Sequence, residues 1–187
     1  KKIGSLAFHC CSNLEECVVP PGVQVGEVAF IGCSKLRATT VLGDADFLAE
    51  WGDTVLEKAF RGRCDVISVA LPSWIKKIGK QAFCYCSNLE ECVVPPGVQV
   101  GEAAFYWCEK LRGTTVLGDA DFPAEWGDTV PDNAFTGRCD VISVVLPSWI
   151  KKIGRSAFGC CWNLEECTVP PGVEVGKHAF IFCPKLR

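Results

Sequence analysis

The chain has 187 residues, of which 49% are hydrophobic and 22% charged, and carries a formal net charge of −3. That balance excludes a disordered chain and gives no general attraction to nucleic acid or to an anionic membrane surface. No apolar run approaches the roughly 20 residues of a membrane-spanning helix, so membrane insertion is not expected.

The first stretch, Lys1–Pro20 (KKIGSLAFHCCSNLEECVVP), returns almost verbatim at Lys76–Pro95 and, altered, at Lys151–Pro170. Residues 1–75 and 76–150 match at 60 of 75 positions without a gap, and 151–187 begins a third copy. A shorter period is marked by Ala-Phe, at Ala7-Phe8, Ala29-Phe30, Ala59-Phe60, Ala82-Phe83, Ala104-Phe105, Ala134-Phe135, Ala157-Phe158 and Ala179-Phe180. The steps run 22, 30 and 23 residues and then repeat, which makes eight coils, three to each long unit. A unit this short cannot bury its own apolar face and must stack on its neighbours. The expectation is one repeat domain over 1–187, in long units 1–75, 76–150 and a partial 151–187. The chain starts and stops inside a repeat without polar end caps, so it reads as part of a longer polypeptide, in which a missing signal peptide says little about localisation.

Within a coil, apolar or small residues follow Phe83 at Cys86, Leu89, Cys92 and Val94, and follow Phe105 at Cys108, Leu111, Thr114 and Val116. The tail, Leu-x-x-Cys-x-Val, fits a short strand with these residues inward. The front, Val100–Cys108, holds good helix formers and predicts one or two helical turns or a 3₁₀ segment. Pro-Pro-Gly at 20–22, 95–97 and 170–172 ends the strand, because Pro supplies no ladder donor.

Alternation then turns Glu90, Glu91 and Val93 outward, followed in the next coil by Arg112, Gly113 and Thr115, and in the third by Ile142, Ser143 and Val145. Glu15, Glu16, Arg37, Glu165 and Glu166 continue the stripe. A docking surface of repeating charge is one reading of Glu15, Glu16, Arg37, Glu90, Glu91, Arg112, Glu165 and Glu166. The other is a solvated face that neutralises itself, with pairs such as Glu91 and Arg112 worth about 0–1 kcal/mol.

The pattern I-x-x-I-G-x-x-A-F-x-x-C-x-x-L-x-x-C-x-V-P resembles the leucine-rich repeats of the BspA-like (Treponema pallidum type) family, over all eight coils. The resemblance implies an α/β fold: a curved, horseshoe-like leucine-rich-repeat solenoid of about eight coils, with one parallel β-sheet and short helical or irregular segments opposite. The third coil of each unit departs from it. There Arg63-Cys64 and Arg138-Cys139 displace the usual Cys by one place, and an acidic segment, Gly43–Phe47 or Gly118–Phe122, precedes the Ala-Phe.

Fourteen cysteines suggest a disulfide framework in a small secreted protein, but here they recur with the 75-residue period, as Cys11, Cys86 and Cys161 do. They read as buried thiols that pack as small hydrophobes. Cys11 with Cys33, or Cys86 with Cys108, occupy matching places in adjacent coils and are the pairs nearest to bridging. Cys84-x-Cys86 has no counterpart in the other copies, and neither it nor Cys10-Cys11 finds the second close pair a zinc site needs. Asp44, Asp46, Glu50 and Asp53, repeated as Asp119, Asp121, Glu125 and Asp128, offer hard oxygens for calcium within 43–53 and 118–128. They lack EF-hand spacing, and Trp51 and Trp126 suggest loops anchored by a tryptophan. His9 and His178 do not recur, and no G-x-S-x-G, H-E-x-x-H or phosphate loop is present. No catalytic residue, metal ligand or cofactor is therefore assigned. Bulky residues at Tyr106-Trp107 and Trp162 mark the outer side of the coil, as packing or as contact anchors.

The expected function is a non-catalytic protein-interaction scaffold. The resemblance implies surface adhesion, whereas the many thiols suit an assembly subunit in a reducing compartment, and localisation stays open between the two. A metal-dependent enzyme carried on a solenoid is the rival from another class.

Overall fold

The fold is taken from a computed structural model, which describes residues 1–95 and 97–187. Of the three Pro-Pro-Gly turns, Pro96 lies outside the described residues. The chain forms short strands: β1 (Lys2–Ile3), β2 (Gln24–Val25), β3 (Thr40–Leu42), β4 (Thr54–Val55), β5 (Val66–Val69), β6 (Lys77–Ile78), β7 (Glu91–Cys92), β8 (Gln99–Val100), β9 (Thr115–Leu117), β10 (Thr129–Val130), β11 (Val141–Val145), β12 (Lys152–Ile153), β13 (Glu166–Thr168) and β14 (Glu174–Val175). All of their pairings are parallel, as a solenoid of about eight turns requires.

Coils 2 to 7 each cross two ladders, where the resemblance implied one sheet. The first is built in pieces β1-β2, β4-β6-β8 and β10-β12-β14, and the second in pieces β3-β5-β7 and β9-β11-β13. The first ladder forms because an Ile or Val precedes a glycine in most coils and the glycine lets the next chain close in. A Cβ on Gly79 would stand 2.6 Å from the Glu57 nitrogen. The breaks are staggered. The first ladder stops between coils 2 and 3 and between coils 5 and 6, where the second runs on. The second stops between coils 4 and 5, where the first runs on and a single backbone bond, Arg112 N–H to Glu90 O at 3.0 Å, crosses the gap.

No helix forms over Val100–Cys108, and among the described residues the only helical turns are 3₁₀, at Asp44–Asp46, Ala49–Trp51, Asp119–Asp121 and Ala124–Trp126. The residue before each Ala-Phe and the second residue after each Phe have positive φ, for example Ala103 (54°) and Trp107 (64°). Two left-handed residues in this stretch are incompatible with helix. They aim alternate N–H groups at the next coil instead: Phe83 donates to Ala104 O and Tyr85 to Tyr106 O, both at 2.8 Å.

The inward Phe side chains stack coil on coil, with Phe60–Phe83 at 5.3 Å and Phe83–Phe105 at 5.4 Å between centroids. Most of the expected core cysteines lie below them and use their thiols, but Cys10 and Cys11 of the first coil, expected to be buried, are exposed. Cys33 donates to Phe8 O at 3.0 Å, Cys86 to Phe60 O at 3.1 Å, Cys108 to Phe83 O at 3.2 Å, Cys161 to Phe135 O at 3.2 Å and Cys183 to Phe158 O at 3.1 Å. A small apolar residue with a weak donor meets both needs of that position. All fourteen cysteines are free thiols. Cys84, peculiar to its coil, is buried as well, and burial raises its pKa to about 11.

Candidate functional site

The second ladder presents one side to solvent, and its register fixes which residues share a row. Val41 lies beside Ser68 and Ser68 beside Glu91; in the next piece Val116 lies beside Ser143 and Ser143 beside Glu166. Both rows pass from valine through serine to glutamate.

This placement corrects the expected strand in coils 2 and 5. Val116 was expected inward with Thr114, yet it is 56% exposed, as Val41 is 57%, and Leu117 and Leu42 fill the core in their place. The cause lies at the strand start, where Thr114 and Thr115 both donate to Asp140 O, and Thr39 and Thr40 both to Asp65 O, so two residues of coils 5 and 2 oppose one of the next coil. A compensating extra residue, Ile142 or Ile67, follows on β11 and β5. One extra residue flips every later side chain. Thr115, expected outward, has its hydroxyl oxygen buried without a partner. In coil 4 alternation holds, with Val93 exposed and Leu89, Cys92 and Val94 buried. Val145 of coil 6 is exposed as expected, whereas Val169 of coil 7, the counterpart of Val94, is exposed.

Glu15, Glu16, Arg37, Glu91, Arg112, Glu165 and Glu166 are exposed and Glu90 is half-buried. The structure brings Glu90, rather than Glu91, to Arg112: the Glu90 Oε2 and Arg112 Nη2 atoms are 3.5 Å apart. Glutamate and arginine also meet through the backbone, with Arg37 N–H donating to Glu15 O at 2.9 Å and Arg187 N–H to Glu165 O at 3.1 Å. Beside this stripe runs a second charged series. Lys35, Lys110 and Lys185 donate to the side-chain oxygens of Asn13, Asn88 and Asn163 in the preceding coils, at 3.1, 2.8 and 2.7 Å.

What holds the face in place was not expected from the sequence. Arg63 and Asp65 form a two-bond ion pair, both bonds 2.8 Å, and Arg138 and Asp140 repeat it at 2.8 and 2.7 Å; all four residues are buried. The Asp140 carbonyl accepts from the N–H groups of both Thr114 and Thr115, so the pair fixes the start of the neighbouring strand. Asn163 then reaches over coil 6 and donates to Leu111 O and Cys139 O, both at 2.6 Å, tying coils 5, 6 and 7 together. Asn88 does the same for coils 2, 3 and 4. The available signal was the recurrence of Arg-Cys-Asp in both copies at a place where other coils keep an apolar core.

The acidic segments are anchored loops. Phe47 and Phe122 are buried, and Trp51 and Trp126 pack edge-on to Phe60 and Phe135. Asp46 accepts from the backbone N–H groups of Gly22 and Gly43, which leaves it closing turns. Among the described residues no group of three or more His, Cys, Asp or Glu side chains is placed to hold a metal ion. On the outer side, Trp107 and Trp162 meet at 5.4 Å, so these aromatics pack on one another while Trp107 stays partly exposed.

The sequence matches a family described as the BspA type leucine-rich repeat region, with six copies, over residues 1–120 and 53–187. No curated protein matches it. Among solved structures it is similar to a leucine-rich repeat protein of T. pallidum, at 28% identity and a TM-score of 0.49, covering 72% of this chain and 71% of that one. A leucine-rich cell surface protein of Faecalibacterium prausnitzii aligns at 17% identity and a TM-score of 0.46, and a leucine-rich repeat protein of Bacteroides ovatus at 19% and 0.40. Both cover all of this chain, which spans 63% of their length.

Proposed function

The chain belongs to the BspA type leucine-rich repeat family, and from that premise we propose that it is a non-catalytic scaffold whose second-ladder face docks a protein partner. The family's repeats make a protein-interaction kind of fold, and the family is generally non-enzymatic. The observation that carries the reading is the pair of matching exposed rows, Val41–Ser68–Glu91 and Val116–Ser143–Glu166. Exposed valines flanked by Glu15, Glu16, Arg37, Glu90, Arg112 and Glu165 give an apolar centre with a charged rim, the composition of a docking patch. The same chemistry twice along one solenoid favours an elongated or repeated partner surface.

Surface adhesion is the finer form of this reading. It draws on the cell surface protein of F. prausnitzii only as a resemblance of fold. Assembly of an intracellular or organellar complex is the second form, favoured by the free thiols. The test is affinity capture from a native extract with the wild type, with Glu90→Lys/Glu91→Lys/Arg112→Glu, and with Val41→Asp/Val116→Asp. A partner lost by either variant, with the fold intact by circular dichroism, is the expected result. Unchanged recovery with both variants removes this face from consideration.

A further inference from the structure

The first ladder is interrupted at the two long steps, and the interruption leaves two strand edges facing each other. Among the described residues β2 pairs with β1 alone and β4 with β6 alone. Successive residues of a strand turn their backbone groups to opposite neighbours. Gln24 and Gly26 donate to Lys1 O and Ile3 O at 3.2 and 2.9 Å, so Val25 between them faces coil 3. Lys77 and Gly79 take the carbonyls of Asp53 and Val55 at 3.1 and 2.7 Å, so Thr54 and Leu56 face back toward coil 2. Along β2, and reaching Leu56 and Glu57 just past the end of β4, lies a cleft of about 340 Å³ whose lining includes Gln24, Val25, Trp51 and Asp46.

We propose that this cleft binds an extended segment of a partner protein, which enters as an added strand between β2 and β4. The inference rests on the scaffold reading and gives it a second, chemically defined site. The Val25 and Leu56 sides continue strands of the ladder and offer backbone donors and acceptors at the spacing an added strand uses. Trp51 and Leu56, the latter 45% exposed, supply apolar surface for every second side chain of that segment.

The second copy is an internal control. A cleft of the same volume, about 340 Å³, lies along β8 and is lined by Gln99, Val100, Pro123 and Trp126. There Pro123 stands for Leu48 and Pro131 for Leu56. Proline has no N–H and is a usual device for blunting an open edge. One edge is closed to an incoming strand and its twin is left open, so the segment binds at the first cleft only.

The test pans a phage-displayed library of random heptapeptides on the wild type, with Leu56→Pro as the counter-target. Position 131 already carries proline in the same coil geometry, so Leu56→Pro is expected to keep the wild-type thermal transition. Supporting clones carry aliphatic residues at alternate positions, bind Leu56→Pro at least tenfold more weakly, and protect the Val25 and Thr54 amides from hydrogen exchange. Pro131→Leu should raise the stoichiometry from one peptide to two. Clones that bind wild type and Leu56→Pro equally, or no discriminating clones, overturn the proposal. So does wild-type self-association that Leu56→Pro abolishes, because the occupant is then a second copy. If strand-face variants lose a captured partner while no clone discriminates Leu56→Pro, the scaffold reading stands and the cleft assignment fails.

Discussion

A regular step, coil 4 to coil 5, and a long one, coil 5 to coil 6, are joined by different chemistry. In the regular step Phe83 and Phe105 stack within 4° of parallel, and Cys108 donates to the carbonyl of Phe83. In the long step that stack is replaced: Phe135 meets the inserted Phe122 and Trp126 edge-on, at 5.3 and 5.5 Å. The place of the thiol is taken by Arg138, buried against Asp140. The outer backbone slips as well. Gln81 N–H donates 21 residues ahead, to Glu102 O, but Ala103 N–H reaches Thr136 O, 33 residues ahead. The apolar core falls into three clusters that follow these steps, mainly over coils 1–2, 3–5 and 6–8, with Cys64 and Cys139 reaching back across the junctions and Leu42, Phe47, Leu117 and Phe122 reaching forward. Periodic apolar groups suffice where every coil repeats the last. Where the repeat length changes, a specific polar pair and an aromatic plug take over.

The largest effects come from charging the regular part. Leu89 is fully buried in the middle cluster, and Leu89→Asp puts an unpaired carboxylate there, at a cost of more than about 4 kcal/mol. Because solenoid blocks are coupled only to neighbours, hydrogen exchange should show coils 3–5 opening while coils 6–8 keep more protection. Equal loss of protection in both clusters would break the comparison, since it would make the molecule one cooperative unit.

Next in size is the junction itself. Asp140→Ala leaves the Arg138 guanidinium buried without its partner, and the expected loss is about 3–5 kcal/mol. Arg138→Met/Asp140→Leu, which removes both charges, should recover most of it. Recovery with an unchanged Thr114 and Thr115 amide protection would show that the pair fills volume; recovery of stability without that protection would show that it sets the strand start. Chemical denaturation with amide exchange reads both.

The thiols give a smaller, pH-dependent contrast. Burial raises Cys84 to about 11 and Cys139 to about 12, from an ordinary value of 9.0. The folded chain therefore holds these protons after the unfolded chain has begun to release them. Their contribution is fully present below pH 9 and is lost as pH rises through the folded values, by about 1 kcal/mol for each thiol near pH 10. Denaturation midpoints at about pH 8 and pH 10 should show this fall, and Cys84→Ala/Cys139→Ala should reduce it, the remainder coming from other buried thiols such as Cys92, Cys108 and Cys161. A wild-type midpoint that holds or rises across that range contradicts the burial assigned to these groups.

The coils, their stacked Phe and the Cys and Leu beneath were legible in the sequence, because repetition at 22, 30 and 23 residues marks any position that must meet its own copy. The first ladder was not, since two-residue strands such as Lys77–Ile78 are too short to show alternation. Val116 was misplaced because a bulge leaves no residue signature where Thr39 and Thr40, or Thr114 and Thr115, are equally suited to either face. Left-handed turns were hidden for a similar reason. Only Gly32, Gly62 and Gly137 carry a glycine at the second place after Phe, while Tyr85 and Trp107 adopt the same backbone unmarked. The charged stripe was read as exposed, which holds for all of it except the half-buried Glu90. Arg63, Asp65, Arg138 and Asp140, however, were not read as core, because single charged residues are almost never fully buried unless paired.

The smallest effect concerns the charged stripe, and its smallness is what makes it informative. Glu90 and Arg112 approach to 3.5 Å with side chains 39% and 80% exposed. An ion pair so wet and so long is worth about 0–1 kcal/mol. A double-mutant cycle of Glu90→Gln and Arg112→Gln should therefore give a coupling energy in that range, shrinking further in high salt. The buried pair at Arg138 and Asp140 should give several times as much and respond little to salt. Since the exposed pair contributes so little to folding, any partner lost by reversing Glu90 or Arg112 is lost from recognition and not from stability. A coupling energy as large as that of the buried pair would reverse this, and would make the stripe part of the framework.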